Sequence, residues 1–396
     1  MIRHLLKLVW NRKRANALII AEIFFSFLVL FAVITATVTF AANWRRPLGY
    51  DYSNVWNVRM DFDIDARAKV PVELRQSVGR MMTEARSFPE VESVAGTNTP
   101  PYSFSTSEGS WERKGRRIRL MFDDVTDDYA KVMRMKPIRG RWFGPEDDAT
   151  KDQPVVLDVN AAEELFGNED PIGKVFDQQD DGVMRVVGVV PAYRKDGELA
   201  GRHNMVFHRV ALDRDLGRLG SNLVVRLRPG THADFEERLV SRLQSVAPTV
   251  TFRIRHMDAM RESALRFRLA PVIAGAIVAA FLISMVALGL TGVLWQSVTK
   301  RTRELGLRRA MGATGSTVHR QILLEVALLA TVAVIAGAVI VLQLPILGIF
   351  AWVTPAAFTT GFIASLATIY SLTVLCGLYP SWLASRLMPA DALRYE

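Results

Sequence analysis

Four apolar runs limit what this chain of 396 residues can fold into. They occupy residues 17–42, 271–298, 322–344 and 360–383. A helix needs about 20 apolar residues to cross the hydrocarbon core of a bilayer, so each run is long enough to span it. The apolar region of a cleaved signal peptide is only about 7–15 residues, so the first run is read as an anchor. With their flanks, the transmembrane helices are expected at 17–42, 269–298, 321–344 and 360–384. Glu22 lies near the basic end of the first span and is expected to snorkel, or to pair with Lys13 or Arg14. The polar side chains Ser284, Thr291, Gln343 and Ser371 of the later spans do not ionise. On that pattern no proton relay or ion pathway is expected through the bundle.

Basic residues fix the orientation. Arg3, Lys7, Arg12, Lys13 and Arg14 precede the first span, and Lys300, Arg301, Arg303, Arg308, Arg309 and Arg320 follow the second. Positive flanks stay in the cytoplasm, which puts both termini there and residues 43–268 on the other side. The uncharged turn at 345–359, with Trp352, then also lies outside. The net charge of +9 is accounted for by these flanks, and no basic-aromatic repeat points to nucleic acid. Cys376 is the only cysteine, which excludes an intrachain disulfide and a cysteine-rich metal site.

Residues 1–16 place Ile2, Leu5, Leu6, Val9 and Trp10 at helical spacing, with Arg3, Lys7 and Arg14 largely elsewhere. This predicts an amphipathic helix at the cytoplasmic headgroups, or else a plain charged flank. Residues 43–268 have the composition of a folded soluble domain. Trp56, Val58, Met60 and Phe62 alternate with Val55, Asn57, Arg59 and Asp61, mostly the period of a half-buried strand. Pro71 is expected to open a helix that ends before Pro89. Further strands are expected at 118–122, 154–157, 184–190 and 223–227, and helices at 127–133, 160–166 and 233–246. Polar turns fall at 140–148 and 178–182. The expected fold is an α+β domain in two lobes.

Motifs for chemistry are few. Gly167 to Gly173-Lys174 resembles a phosphate loop, but it has one residue too many, and Val175 stands where a magnesium-binding hydroxyl belongs. A turn accounts for it better. The six histidines, His4, His203, His208, His232, His256 and His319, form no zinc-binding spacing. Asp177, Asp180 and Asp181 lack the spacing of a calcium loop. No Gly-x-Ser-x-Gly elbow is present. No catalytic residue, metal or cofactor is therefore assigned to this chain.

The segment 299–320 is different. Residues 301–311 are good helix formers, Gly312 suits a left-handed cap, and Thr314 or Ser316 can cap the next helix. Leu305, Leu307, Ala310 and Met311 give it an apolar surface beside Arg308 and Arg309. The same residues suit a docking helix for a soluble partner and a positive determinant that touches only headgroups.

At this segment the sequence resembles a known family. The run Arg301-Thr-Arg-Glu-Leu-Gly-Leu-Arg-Arg-Ala-Met-Gly-Ala-Thr314 is similar to the signature of the FtsX-like permease domain of MacB-type ABC transporters. The tail Pro389-Ala-Asp-Ala-Leu-Arg-Tyr-Glu396 resembles that of the same family. Residues 137–143, 160–174 and 186–190 resemble its periplasmic core domain. The resemblance implies an α-helical membrane protein with four transmembrane helices and a large extracytoplasmic α+β domain, working as a homo- or heterodimer in the bacterial inner membrane.

It also implies that a cytoplasmic ABC ATPase engages the loop through Glu304, Leu305, Gly306, Arg308, Arg309, Ala310, Gly312 and Ala313. ATP and magnesium would belong to that partner, as in a split form of the transporter. Movement of the outer domain would then serve export of drugs, peptides or other hydrophobic cargo, with a periplasmic adaptor and an outer-membrane channel as further partners. Release of lipoproteins in the manner of LolCE, and regulation of a cell-wall hydrolase in the manner of FtsX, are the alternatives.

Overall fold

The computed structural model of the chain describes residues 13–62, 72–113, 115–179, 182–212, 220–232, 234–300, 311, 314–349 and 352–386. Most of the amphipathic segment expected at 1–16 lies outside the described residues. So do the tail from 387 onward and all eight interface candidates from Glu304 to Ala313. The chain divides into two compact units, Asn43–Arg268 and the remainder.

The Asn43–Arg268 unit is built on one sheet with strand order β11-β1-β10-β2-β4-β9-β6-β8-β5, while β3 pairs with β4 and β7 with β8. In chain order the strands are β1 (Val55–Phe62), β2 (Val91–Thr97), β3 (Glu108–Arg113), β4 (Arg116–Val125), β5 (Arg139–Gly140), β6 (Gln153–Asp158), β7 (Val175–Gln179), β8 (Gly182–Val190), β9 (Met205–Arg209), β10 (Asn222–Leu227) and β11 (Val250–His256). The first lobe combines β1, a helix α2 (Val72–Arg86) and β2 with β10, a helix α5 (Phe235–Val246) and β11. Its four strands are antiparallel in the order β11-β1-β10-β2, which is the βαββαβ arrangement of ferredoxin-like folds.

Alternation along β1 decides its two faces. Trp56, Val58 and Met60 turn inward against Met81 and Met82 of α2 and Phe235, Leu239 and Leu243 of α5. Those three α5 residues recur every fourth position, so one stripe of the helix is buried. Full burial of each large apolar side chain is worth about 1.5–3 kcal/mol.

The second lobe is inserted between β2 and β10. Its β6 pairs parallel with β8 and antiparallel with β9, while β9 pairs parallel with β4. Helix α4 (Val159–Phe166) packs Ala161, Leu165 and Phe166 on Leu120, Leu157 and Val206. Asp158 caps that helix by accepting from the Ala161 amide at 2.8 Å. The lobes meet where Thr97 of β2 pairs with Val125 of β4. There a shared core gathers Tyr50, Tyr102, Tyr129, Tyr193, Phe207 and Met257. The short helix α3 (Tyr129–Val132) supplies the buried Tyr129, whose hydroxyl is 2.8 Å from that of Tyr193.

The second unit is helical. Helix α1 (Lys13–Trp44), the apolar part of α6 (Met257–Lys300), α7 (Gly315–Gln343) and α8 (Pro355–Arg386) contain four stretches long and apolar enough to cross a membrane. Ile23, Phe27, Phe31, Leu290, Val326, Ala330 and Ala333 share its core. Phe27 meets Phe362 edge-on at 5.9 Å, and Phe31 meets Phe358 at 5.1 Å. Close approach depends on glycine: a Cβ at Gly361 would sit 2.0 Å from Thr35 Oγ1, and one at Gly337 would sit 2.6 Å from the Phe27 ring. Many hydroxyls inside the helices return to their own backbone, as Thr291 does to the Ala287 carbonyl at 2.7 Å, whereas Ser26 Oγ and Thr35 Oγ1 have no partner among the described residues. Large apolar side chains such as Leu288 and Ile363 remain exposed, as lipid-facing residues must.

Three expectations for the spans are corrected. Glu22 does not snorkel: it is only 8 % exposed, its Oε1 has no hydrogen-bond partner among the described residues, and a Cβ on Gly289 would approach its Oε2 to 3.0 Å. The bundle encloses it because it lies one turn before Ser26 and on the same face as Ile19 and Ile23. Glu325 is a second ionisable group, lying within the third apolar stretch and accepting from Gln321 Nε2 at 3.3 Å. The spans are therefore not free of ionisable side chains. The last helix also begins at Pro355 rather than at 360, because proline suits the first helical turn.

Candidate functional site

Any domain hung between two transmembrane helices has two places where force can enter it: the segment after the first helix and the segment before the second. In the Asn43–Arg268 unit both are clamped by one loop, residues 192–203. Pro191 follows the end of β8. A turn comes next, in which the Gly197 amide donates to the Arg194 carbonyl at 2.9 Å, with Gly197 at φ +87°.

Arg194 is the centre of the clamp, and it is buried. Its Nη1 donates to the carbonyls of Asn43 at 2.7 Å and Arg46 at 3.1 Å, and its Nη2 to those of Glu198 and Ala200, both at 2.7 Å. The planar guanidinium suits this task because its donors lie in a fixed fork. Burial pushes the guanidinium below its ordinary value, and the nearby Arg46 charge adds to this. Asn43 Nδ2 donates back to the Leu199 carbonyl at 3.3 Å. The Arg194 amide donates to the Leu48 carbonyl at 3.0 Å. Gly49, at φ +84°, passes so close that a Cβ would lie 2.3 Å from the Ala192 oxygen.

The segment before the second span is held by the same loop. Arg261 of α6 donates from Nε to Glu198 at 2.5 Å, and its guanidinium lies 5.7 Å from the Trp44 ring centre and 5.4 Å from that of Tyr52. One side chain thus ties α6, the loop and the segment after α1 together, with cation–π contacts that strengthen when desolvated. Arg268 and His203 both reach Asp196 Oδ2, at 3.2 and 3.3 Å. Burial would raise the Asp196 carboxyl, but the His203 hydrogen bond and the Lys195, His203 and Arg268 charges outweigh it and hold the group below its usual range.

Lys195 is 1 % exposed and donates to the Ser103 and Ser105 carbonyls at 3.2 and 2.5 Å. Beneath the loop, Asp158 accepts from the Ala161, Met205 and Tyr193 amides and from Asn160 Nδ2. Burial pushes its carboxyl up to about 7 against those four bonds. Asp123, bound by Thr97, Asn98 and Thr99, is likewise pushed by burial to about 6.

Sequence reasoning did not single out this clamp. Arg194, Lys195, Asp196 and Glu198 lie in a charged stretch with Gly197 and no helical or alternating apolar pattern, so nothing local signals their burial.

The other sequence-based candidates sit apart from it. Gly167 ends α4 at φ +62°, Lys174 pairs with Glu169, and β7 follows, so the segment is a turn and not a helix-opening phosphate loop. His208 lies 3.3 Å from Asp124, and His256 stacks on Trp56 at 4.5 Å between centroids. No three His, Cys, Asp or Glu side chains gather into a metal site among the described residues. Of the docking segment, its flanks are described: α6 reaches Lys300, and Met311 is exposed. Thr314 precedes α7 with extended backbone, but its hydroxyl meets those of Ser316 and Thr317 instead of a backbone amide.

Four apolar crossings and one large extramembrane domain between the first two define a multi-pass membrane protein with a mixed α/β outer domain. The family profile described as MacB-like periplasmic core domain matches residues 17–242, and that described as FtsX-like permease C-terminal matches 276–389. The first takes in more than half of the chain, so the chain belongs to the MacB-like family and is an FtsX-type ABC permease with a periplasmic domain.

Among curated relatives, the macrolide export ATP-binding/permease protein MacB of Bordetella avium is 29 % identical over 283 residues, covering 69 % of this chain and 42 % of that protein. The MacB protein of Chlorobium luteolum is 30 % identical over 297 residues, covering 71 % and 43 %. The chain thus spans less than half the length of these relatives. The crystal structure of the periplasmic region of MacB from Actinobacillus actinomycetemcomitans matches with TM-score 0.39 and 17 % identity, covering 54 % of this chain and 94 % of that one.

Proposed function

We propose that this permease converts ATP hydrolysis by a separate cytoplasmic ABC ATPase into movement of its periplasmic domain, in the service of exporting drugs, peptides or other hydrophobic cargo. The observation that carries this reading is the clamp at Arg194. One rigid, buried cluster grips the chain just after the first span and just before the second, so a displacement of either segment is passed to the sheet. In this reading the protein sits in the bacterial inner membrane with both termini cytoplasmic. It pairs with a second permease copy or a related permease, contacts membrane lipid, and works with a periplasmic adaptor and an outer-membrane channel. ATP and magnesium stay on the ATPase.

The ATPase engages the segment at 299–320, which lies within the FtsX-like match. Glu304, Leu305, Gly306, Arg308, Arg309, Ala310, Gly312 and Ala313 form the contact, with the two arginines pairing with acids on the partner. Reversing both charges, Arg308→Glu with Arg309→Glu, turns two attractions into repulsions that cost several kcal/mol at an interface. Recovery of the ATPase with the full-length permease in pull-downs is expected to fall by at least about tenfold. Undiminished recovery together with undiminished permease-stimulated ATP hydrolysis would remove the docking assignment.

A further inference from the structure

The first lobe covers one face of its sheet with α2 and α5; on the other, Val55, Ala95 and Val224 enter the shared core, and the part around Arg59, Arg253 and Arg255 is left open. Asn57 and Arg59 of β1 point to that open side, between their neighbours on β10 and β11. Register sets Arg59 opposite Arg253 and Asn57 opposite Arg255 on β11, with Asn222 of β10 across from Arg59. Asn98, Ser103, Phe104 and Ser105 from the connection after β2, together with Met260 of α6, wall the space over these strands. They enclose a cavity of about 670 Å³, within the range of roughly 300–1,000 Å³ usual for small-ligand sites.

Three features of this cavity ask for a ligand of one kind. Charge comes first: Arg59 and Arg253 share the single carboxylate of Asp61, at 3.0 and 2.7 Å, and Arg255 has no ion pair among the described residues. Three guanidiniums against one acid leave about two positive charges, which attract an anion. Second, Asn57 is 4 % exposed and donates from Nδ2 to Asn222 Oδ1 at 3.2 Å, yet its own Oδ1 accepts nothing among the described residues. A buried acceptor left unmade costs about 1–3 kcal/mol, so the site favours a ligand that brings a hydrogen-bond donor. Third, the Phe104 ring stands 67 % exposed, packed edge-on against Phe267 at 5.1 Å, and offers an apolar contact beside the charges.

A bare phosphate or sulfate meets the first demand and neither of the others. An acidic peptide meets all three: a carboxylate for the arginines, a backbone N–H for Asn57 Oδ1, and a side chain for Phe104. We infer that this cavity on the open face of the first lobe is a binding site for a short acidic peptide. The inference rests on the periplasmic domain alone and stands whether or not the ATPase docks as proposed above.

The test uses the full-length protein in detergent micelles and fluorescence anisotropy of labelled tetrapeptides. One probe carries Asp or Glu beside an apolar residue, and the other carries Asn or Gln at the same positions. Saturable binding of the acidic probe is expected, at least tenfold tighter than that of the neutral probe and weakening as salt is raised. The substitution Arg255→Gln, on an exposed strand position, is expected to weaken the acidic probe at least tenfold with an unchanged melting temperature. Asn57→Leu, which removes the orphan acceptor, should weaken acidic and neutral probes by the same factor. Three results would each overturn the assignment: no saturable binding of the acidic probe, equal binding of the two probes, or Arg255→Gln binding like the unaltered protein.

Discussion

At the scale of single residues, the periplasmic domain is organised by buried polar side chains that serve the backbone. Arg194 satisfies four carbonyls that its surroundings deny to water. Arg226, with no exposed side-chain surface, does the same for Asp51, Ser53 and Val132. Truncating such a side chain leaves several buried acceptors unmade, at about 1–3 kcal/mol each. Arg194→Ala is therefore expected to destabilise the domain by roughly 3 kcal/mol or more. Arg194→Lys, which keeps the charge and loses the fork, should cost less. Chemical denaturation followed by tryptophan fluorescence measures both, and equal stability of all three proteins would contradict this view of the clamp.

The carboxylates predict a pH dependence of definite sign. Asp158 and Asp123 are raised by burial to about 7 and about 6, so between the unfolded value and these the folded chain binds the extra protons. Their contribution is present in acid and is lost as pH rises through 6 to 7. Asp51 and Asp196 are depressed: burial opposes this in both, but hydrogen bonds and the neighbouring cations prevail. Their contribution is lost as pH falls below the ordinary carboxylate value of about 3.9. The melting temperature of the domain is expected to peak at about pH 4 to 5, to fall from there to about pH 7, and to level off above it. A melting temperature that climbs steadily to pH 8 would contradict the assignment.

At the scale of elements, the bundle is set by small residues at helix contacts. Gly361 of α8 lies against Thr35 of α1 with no room for a side chain, the nearest backbone atom being 3.1 Å from a would-be Cβ. Gly361→Val is expected to push the two helices apart at a cost of about 1–3 kcal/mol, seen as a lowered melting temperature in detergent. An unchanged melting temperature would show that the contact is not tight.

Much of the element layout was legible from periodicity. The strands expected at 118–122, 154–157, 184–190 and 223–227 lie within β4, β6, β8 and β10, and the helices at 160–166 and 233–246 overlap α4 and α5. Short-range patterns do not show partners, which is why the edge position of β11 and the insertion of the second lobe were hidden. For the same reason the clamp was hidden, because burial of Arg194 and Lys195 is a tertiary fact that their charged, turn-rich neighbourhood argues against. Glu22 is buried rather than snorkelling because its face of α1, shared with Ile19 and Ile23, turns into the bundle, which the residues nearest to it in sequence do not show.

At the scale of the whole molecule, the sequence carries two kinds of information about work done across a membrane. Its apolar runs specify crossings and its basic flanks predict their side, and its family resemblance rests on residues that include the 301–314 run. The periplasmic domain adds what neither supplies: a single loop, 192–203, that holds the segments on both sides of the domain. In the proposed function, movement of the outer domain is passed through this grip.

Hydrogen–deuterium exchange on the permease bound to the proposed ABC ATPase, compared between ATP-trapped and ADP states, tests this most directly, because exchange reports local opening segment by segment. The account predicts nucleotide-dependent changes in amides at 43–49, 192–203 and 257–268, with those of β10 and α5 unmoved. ATP turnover that leaves all three clamp segments unchanged would contradict it.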